Sequence, residues 1–253
     1  RRARELEEMF TREDVRAIIC ARGGYGCNYL LEELDLAKIA RHPKIFVGYS
    51  DVTTLLTHLT DRANLVTFHG PMVTKDFAAS DGLHSVSWKA ATSGKSKWEV
   101  AAVPGSGVVP LVEGKAEGIL YGGCLSLLVA SLKTPYEVRT TDTILFLEDV
   151  GIKPFQVDRM LMQLKMAGKL AGVRGIVFGE MLDCMQHPEQ PYSLQEVVRR
   201  VLGDLNIPVA FGLRSGHVTQ GNITLPFGVK ACLEVRKEVR LTILEAATVP
   251  PGK

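Results

Sequence analysis

The hydrophobic positions of this chain form two patterns that alternate along its length. Short runs of consecutive apolar residues predict buried β-strands at residues 15–20, 45–47, 143–147, 175–178, 207–211, 229–235 and 239–244. Between them, apolar residues recur at near-helical spacing, which predicts helices at residues 1–10, 29–39, 53–59, 125–132 and 157–166. Strands that alternate with helices in this way indicate an α/β fold built on parallel sheet.

The alternation is interrupted between residues 76 and 114. This segment is richer in serine, glycine, lysine and proline and has weak periodicity, which predicts a linker with one or two short strands. Before it, residues 11–74 predict a Rossmann-like parallel sheet with covering helices, and after it a second α/β unit follows. We therefore predict an N-terminal domain at residues 1–106, linker included, and a C-terminal domain at residues 107–253.

Composition and charge exclude several classes of protein. The chain has 253 residues, of which 46% are hydrophobic, and its net charge is +2. Basic and acidic residues are interspersed along it, so no basic surface for nucleic acid is predicted. No uninterrupted apolar stretch approaches the roughly 18 residues of a membrane-spanning helix, so no membrane partner is predicted either. The five cysteines are scattered, which predicts reduced thiols and a cytoplasmic location. The histidines occur singly, so no metal site is predicted.

Ser50 lies where the apolar run 45–47 stops and a helical pattern begins. A sharp strand-to-helix turn at this point would lift the serine hydroxyl clear of the sheet and aim the backbone N–H of Asp51 at an oxyanion formed there. Serine and aspartate are also favoured helix N-caps, so a structural role is the alternative. Val52 stands where a nucleophile elbow has its second glycine, which weakens the match.

A carboxylate and an imidazole follow at the ends of later predicted strands. Glu148 ends the run 143–147, and His217 comes shortly after the run 207–211. Hydrolases assemble nucleophile, acid and base in several chain orders, of which Ser, Glu, His is one, and functional groups of open α/β sheets gather at the carboxyl ends of strands. The alternatives are that Glu148 pairs with a lysine and that His217 caps a turn.

A second glycine-rich element, residues 22–26, lies between a predicted strand and a predicted helix. It could form a phosphate cradle, or it could present a backbone N–H of Gly23 or Gly24 as a second oxyanion donor. The glycines are not followed by Lys-Ser or Lys-Thr and lack the G-x-G-x-x-G spacing, which argues against the cradle. A purely structural turn is the remaining alternative.

Six segments occur together in an order that covers nearly the whole chain: residues 21–26, 43–51, 68–72, 122–128, 145–149 and 212–217. Together they resemble the LD-carboxypeptidase family of serine peptidases, which includes muramoyltetrapeptide carboxypeptidases and microcin C self-immunity proteins. The resemblance implies a catalytic triad of Ser50, Glu148 and His217.

The same resemblance implies an oxyanion hole formed by the backbone of Asp51 and of a glycine in the 22–26 element, which we assign to Gly24. Further candidates for the substrate pocket are Gly23 and Tyr25 in that element and His69, which follows the Ser50 helix. For His69 a structural role is the alternative.

The activity that the resemblance implies is hydrolysis of the L,D-amide bond that releases the terminal D-alanine from murein tetrapeptides, in peptidoglycan recycling. It implies no cofactor, a small murein peptide as substrate, a cytoplasmic location and a homodimer. The nearest alternative is a microcin C-type hydrolase of aminoacyl or peptidyl nucleotides; its family members have a longer insertion between serine and glutamate, so the short segment here favours the murein type. A more remote alternative is a non-catalytic nucleotide-binding module using residues 22–26.

Two departures from the family pattern are visible. The chain begins within a helix-like segment, so the N-terminal domain is expected to lack its first strand and the elements that follow it. Cys124 stands where the family segment has an asparagine, which changes any polar contact made there.

Overall fold

The computed structural model describes residues 1–100, 107–185 and 191–249. Within them, the helices are α1 (Arg2–Thr11), α2 (Leu36–Ala40), α3 (Thr53–Ala63), α4 (Ser85–Thr92), α5 (Leu125–Ala130), α6 (Pro154–Met166) and α7 (Leu194–Leu202). The strands are β1 (Ala17–Ile19), β2 (Ile45–Gly48), β3 (Thr67–His69), β4 (Trp98–Glu99), β5 (Val109–Val112), β6 (Gly114–Cys124), β7 (Thr143–Glu148), β8 (Gly175–Gly179), β9 (Val209–Leu213), β10 (Leu225–Phe227), β11 (Lys230–Val235) and β12 (Val239–Ile243).

The first sheet has the strand order β1-β2-β3-β10. Its first three strands are parallel, as the alternating pattern of residues 11–74 predicts, and β10 joins antiparallel to β3. In the register between β2 and β3, Gly48 lies opposite His69. The turn after β2 and the end of β3 therefore lie at the same edge of this sheet.

The second sheet has the order β4-β12-β11-β6-β7-β8-β9-β5. Its centre, from β6 to β9, is parallel, and antiparallel strands extend it on both sides. Every residue of β7 is buried, which explains its nearly continuous apolar run. Cys124 at the end of β6 pairs with Glu148 at the end of β7, so Glu148 stands at the carboxyl edge of the parallel strands.

Alternating side chains of β7 enter two different hydrophobic clusters. Ile144 and Phe146 belong to a cluster that includes Val47 and Phe68 of the first sheet, whereas the odd-numbered leucines of β7 belong to a cluster with α6 and α7. The first sheet is therefore packed onto one face of the second. Strand β10 comes from the C-terminal half of the chain but pairs in the first sheet, and the division at residue 106 stays a prediction.

One prediction about local structure is wrong. The predicted helix at 29–39 is instead a 3-10 turn, Cys27–Leu30, followed by the short helix α2. The reason is a competing cap, since the Asp35 side chain accepts a hydrogen bond from the backbone N–H of Lys38 and starts a new helix there.

The segment 76–114 contains the short strands predicted for it, β4 and β5, but it has more structure than its weak periodicity indicates. It contains helix α4, which begins after His84, where the imidazole accepts a hydrogen bond from the N–H of Ser87. The two residues of β4 pair with β12, near the C-terminal end of the chain, and the sequence did not indicate this partner. Pairing of this kind depends on distant sequence, which a local pattern does not contain. Among the described residues, no helix combines the length and apolar character needed to cross a membrane.

Candidate active site

Ser50 occupies a strained turn between β2 and α3. Its φ is +62°, a left-handed conformation that serine seldom adopts, and a 3-10 turn, Ser50–Val52, leads into the helix. Gly48 allows the side chain of Val52 to lie close to the end of β2, because a Cβ at position 48 would be 2.7 Å from Cγ1 of Val52. Neither this 3-10 turn nor α3 has a side-chain N-cap hydrogen bond, and Ser50 Oγ has no hydrogen-bond partner among the described residues. The capping alternative therefore finds no support in these contacts.

The glycine-rich element packs directly against this turn. A Cβ built on Gly23 would lie 2.8 Å from Cβ and 3.0 Å from Oγ of Ser50. Gly24 follows with a φ of +129°, a conformation open to glycine, and Asp51 Oδ2 ties the element to the turn by accepting a hydrogen bond of 2.9 Å from the N–H of Cys27. The glycine-rich element therefore lies in contact with the Ser50 side chain.

Glu148 and His217 form a hydrogen-bonded pair. Oε2 of Glu148 lies 2.7 Å from Nδ1 of His217 and also accepts the backbone N–H of His217 at 3.1 Å. A carboxylate can only accept, so Nδ1 holds the proton and Nε2 is left free to accept one. The His217 ring meets Tyr49, the residue before Ser50, edge-on at a centroid distance of 5.1 Å. The imidazole is therefore placed beside the strained turn.

Glu148 is fully buried, with a side chain 0% exposed. Burial acts to raise the pKa of this carboxyl, but the hydrogen bonds from His217 and the attraction of His217 and His69 outweigh it and lower the pKa to about 2. Glu148 is therefore ionised at neutral pH and able to hold His217 in one orientation.

The comparison with known proteins decides the family. The model for the LD-carboxypeptidase N-terminal domain matches residues 1–70, and the model for the C-terminal domain matches residues 117–233. The chain belongs to the LD-carboxypeptidase family. The family and the α/β fold predicted from the sequence are thereby confirmed, and the chain is an enzyme of the carboxypeptidase class.

Relatives of this LD-carboxypeptidase have two kinds of name. A probable murein peptide carboxypeptidase of Bacillus subtilis is 38% identical over 97% of this chain and 76% of its own length. A solved muramoyltetrapeptide carboxypeptidase from Oxalobacter formigenes is 33% identical, with a TM-score of 0.83, over 97% of this chain and 84% of that one. A solved microcin C7 self-immunity protein, MccF, in complex with aspartyl sulfamoyl adenosine is 27% identical, with a TM-score of 0.83, over 98% of this chain and 81% of that one.

The loop of this LD-carboxypeptidase that contains His217 is held by residues that sequence reasoning missed. Asn222 Oδ1 accepts the N–H of Gly216, and Asn222 Nδ2 donates to the carbonyl of Gly216 and to Oδ1 of Asp76. Asp76 in turn accepts the N–H of Met72, in the segment after β3. The loop is thus tied to a segment 146 residues earlier in the chain, a contact that no local sequence signal indicates.

His69 is one of the candidates for the substrate pocket, with a structural role as the alternative. Its side chain is 0% exposed and lies next to Glu148, so it presents no open surface to a substrate. The reason is the register of β3, which directs this end residue into the interface between the two sheets. Tyr25, by contrast, is 89% exposed in the glycine-rich element, and its place in a pocket stays a prediction.

All five cysteines are free, and three of them, Cys27, Cys124 and Cys184, are buried. Burial raises the pKa of Cys20 and Cys27 to about 12, so these thiols remain protonated at neutral pH and are poor nucleophiles. In the described ranges, no three histidine, cysteine, aspartate or glutamate side chains cluster closely enough to bind a metal ion.

Proposed function

We propose that this LD-carboxypeptidase releases the terminal D-alanine of murein tetrapeptides by acyl transfer to Ser50. The observation that supports it most is the hydrogen bond between the buried, ionised Glu148 and Nδ1 of His217. This pair lies beside a strained turn in which the Ser50 hydroxyl does not cap a helix. The names of the Bacillus subtilis and Oxalobacter formigenes relatives favour a murein peptide as substrate.

The proposed reaction has two stages. Nε2 of His217 takes the Ser50 proton as Oγ attacks the scissile carbonyl, and the resulting imidazolium then protonates the departing amine of D-alanine. Glu148 keeps the imidazole in the reactive tautomer and offsets its positive charge. Water, deprotonated by the same imidazole, then attacks the acyl-enzyme and frees the shortened peptide. No cofactor takes part in these steps.

The oxyanion of each tetrahedral intermediate would be bound by the backbone N–H groups of Asp51 and Gly24. The N–H of Asp51 lies 3.7 Å from the Cβ position of Gly23, so the two segments already converge at the Ser50 hydroxyl. Donors that are fixed before the reaction stabilise the developing charge without reorganisation. A cytoplasmic location and a homodimer remain predictions.

A second candidate substrate is an aminoacyl or peptidyl nucleotide, as in the MccF complex with aspartyl sulfamoyl adenosine. The observation that favours it is a pair of exposed aromatic side chains, Tyr25 and Tyr29, at 89% and 80% exposure, in the segment that packs on the Ser50 turn. An exposed aromatic face can stack on a nucleobase. The remote alternative, a non-catalytic nucleotide-binding module, would bind nucleotide without cleaving it.

The test is release of free D-alanine from a murein tetrapeptide, measured beside the same peptide ending in L-alanine and an aminoacyl nucleotide with an amide bond. We expect release from the first substrate alone. Cleavage of the nucleotide amide but not of either peptide would replace the murein proposal with the MccF-type activity. Binding of the nucleotide with no cleavage of any substrate would leave the non-catalytic module.

Gly23→Ala is expected to lower kcat/KM for D-alanine release by about 10–100-fold in a protein that is still folded at the assay temperature, although the steric clash also lowers the thermal midpoint. The added Cβ would lie 2.8 Å from Cβ of Ser50, so the serine or the glycine-rich element must shift, and the oxyanion donors would shift with it. Gly203→Ala is the matched control, because its Cβ would have nothing within 4 Å. Full activity in Gly23→Ala would contradict the placement of this element at the reacting atoms.

A further inference from the structure

His69 lies on the opposite side of the Glu148 carboxylate from His217. Its Nε2 is 3.8 Å from Oε1 of Glu148, and both atoms are buried without a hydrogen-bond partner among the described residues. Oε2 of the same carboxylate, by contrast, already accepts two N–H groups from His217. The carboxylate of the proposed triad therefore lies between two imidazoles, of which the proposed mechanism uses one.

The contact of the other ring nitrogen of His69, Nδ1, determines where the ring carries its protons. Nδ1 lies 2.9 Å from Oγ of Ser215, and this hydroxyl lies 2.8 Å from the carbonyl oxygen of Ile223. The carbonyl can only accept, so the single hydroxyl proton of Ser215 is directed to Ile223. Ser215 Oγ therefore accepts from His69, and Nδ1 of His69 must hold a proton.

A neutral His69 cannot satisfy both of its neighbours. If Nδ1 alone is protonated, the lone pair of Nε2 faces a carboxylate oxygen in a buried site. If Nε2 alone is protonated, Nδ1 and the Ser215 oxygen are two acceptors in contact at 2.9 Å. A ring protonated on both nitrogens satisfies Ser215 and presents an N–H to Glu148, and a buried cation of this kind needs such an anion beside it.

Glu148 is the anion that the surroundings of His69 provide. Aromatic rings enclose the imidazole, with centroids of Phe146 at 5.0 Å, Phe227 at 5.5 Å and Tyr49 at 6.1 Å. Burial raises the pKa of Tyr49, which also faces Asp76, so its phenol is neutral at neutral pH. The other titratable groups near Glu148 among the described residues are His217 and the thiols of Cys124 and Cys184, and burial raises the pKa of both thiols.

We propose that His69 is a positioning residue for the reaction: an imidazolium, fixed by Ser215, that holds the free oxygen of Glu148 and shares its negative charge with His217. This role rests on the proposed function for its effect on rate, but the charge state of His69 does not. Two consequences follow. The carboxylate cannot rotate away from His217, and a second positive charge near His217 discourages its protonation in the resting enzyme.

The first test needs no substrate. Side-chain 15N spectra of the histidines in the whole chain should show one residue with both ring nitrogens protonated at pH 7.5, and this signal should vanish in His69→Phe. Phenylalanine suits the position because the surroundings are largely aromatic. A neutral His69 at that pH would overturn the proposal, whatever the enzyme hydrolyses.

The second test is kinetic and compares three variants. His69→Phe should lower kcat by about 10²-fold with KM nearly unchanged, and should move the acid limb of the kcat/KM–pH profile upward by about one pH unit. His69→Gln keeps an N–H donor without the charge, so it should recover part of kcat but not the position of the limb. Ser215→Ala, which removes the partner of Nδ1, should resemble His69→Phe more weakly.

The outcomes distinguish this proposal from failure of the proposed function. If His69→Phe lowers kcat and the thermal midpoint together but leaves the acid limb of the kcat/KM–pH profile unchanged, His69 has a structural role only and the proposal is wrong. Absence of D-alanine release from the unaltered chain would reject the murein substrate, while the 15N spectra would still decide the charge on His69.

Discussion

Ser50→Ala is expected to abolish D-alanine release, lowering kcat by about 10⁴–10⁶-fold with little change in KM. The methyl group cannot form the acyl-enzyme, and the neighbouring oxyanion donors and His217 can then support only a slow direct attack by water. Steady-state release of D-alanine from the tetrapeptide, with the enzyme concentration raised for the variant, measures this loss.

The free energy of unfolding of Ser50 variants separates a chemical role of this residue from a structural one. Since Ser50 has a φ of +62° and no hydrogen bond from Oγ within the described residues, Ser50→Ala should leave the free energy of unfolding nearly unchanged. Ser50→Gly should raise it by about 1 kcal/mol, because glycine adopts a left-handed conformation with less strain. Urea unfolding of the three proteins measures both effects. A stable but inactive Ser50→Gly would show that the strain is kept for function.

Thr54→Ala is the matched control for the loss of a hydroxyl. Thr54 lies in the first turn of α3, close to Ser50 in sequence, and its side chain has no part in the proposed reaction. We expect its activity to stay within about twofold of the unaltered chain, as is usual for a substitution away from such features. Equal losses in Ser50→Ala and Thr54→Ala, or full activity in Ser50→Ala, would reject Ser50 as the nucleophile.

Glu148→Gln is expected to lower kcat/KM by about 10³–10⁴-fold. An amide has one accepting oxygen and an NH₂ group, and Oε2 of Glu148 now accepts both Nδ1 and the backbone N–H of His217. The amide can no longer stabilise an imidazolium, and it allows the unreactive tautomer of His217. Glu117→Gln, on an exposed position of β6, is the control, and it should leave kcat/KM unchanged.

Glu148→Gln also changes how the free energy of unfolding depends on pH. The pKa of Glu148 is lowered from 4.5 to about 2 on folding, so its ionised form stabilises the native state fully above pH 4.5. This contribution, about 3 kcal/mol, is lost as the pH falls from 4.5 towards 2. Glu148→Gln should be less stable than the unaltered chain at pH 6, and the difference should shrink steadily below pH 4.5. The free energy of unfolding of both proteins is measured by urea unfolding at a series of pH values. If it depends on pH in the same way for Glu148→Gln and for the unaltered chain, this account is contradicted.

Local sequence was sufficient for the elements that deliver Ser50 and Glu148. The apolar run at 143–147 predicted a buried strand that ends in a carboxylate, and the structure has β7 ending at Glu148. The change of pattern at residue 48 predicted the strand-to-helix turn at Ser50, and the structure has that turn. These predictions succeed because strand burial and turn formation depend mainly on residues within one or two turns of chain.

One local pattern was misread because two signals competed within it. Residues 29–39 have helical periodicity, but Asp35 caps a new helix in the middle of the segment. Helix α7 was not predicted, although its buried residues recur at helical spacing and a capping box of Ser193 and Glu196 marks its start. In the segment 29–39, the side chain that caps a backbone N–H decided the boundary, and hydrophobic spacing does not record it.

The sequence by itself determined the family, the α/β class and the order of the chemical groups along the chain. Only the tertiary structure decided what surrounds Glu148, because the contacts of His69 with Ser215 and of Asp76 with Asn222 each join residues 146 positions apart. Such pairs depend on how β3 and β10 align and on how the two sheets pack. The physical reason is that a hydrogen bond between side chains needs two atoms within about 3 Å, and chain order sets no such distance between remote segments.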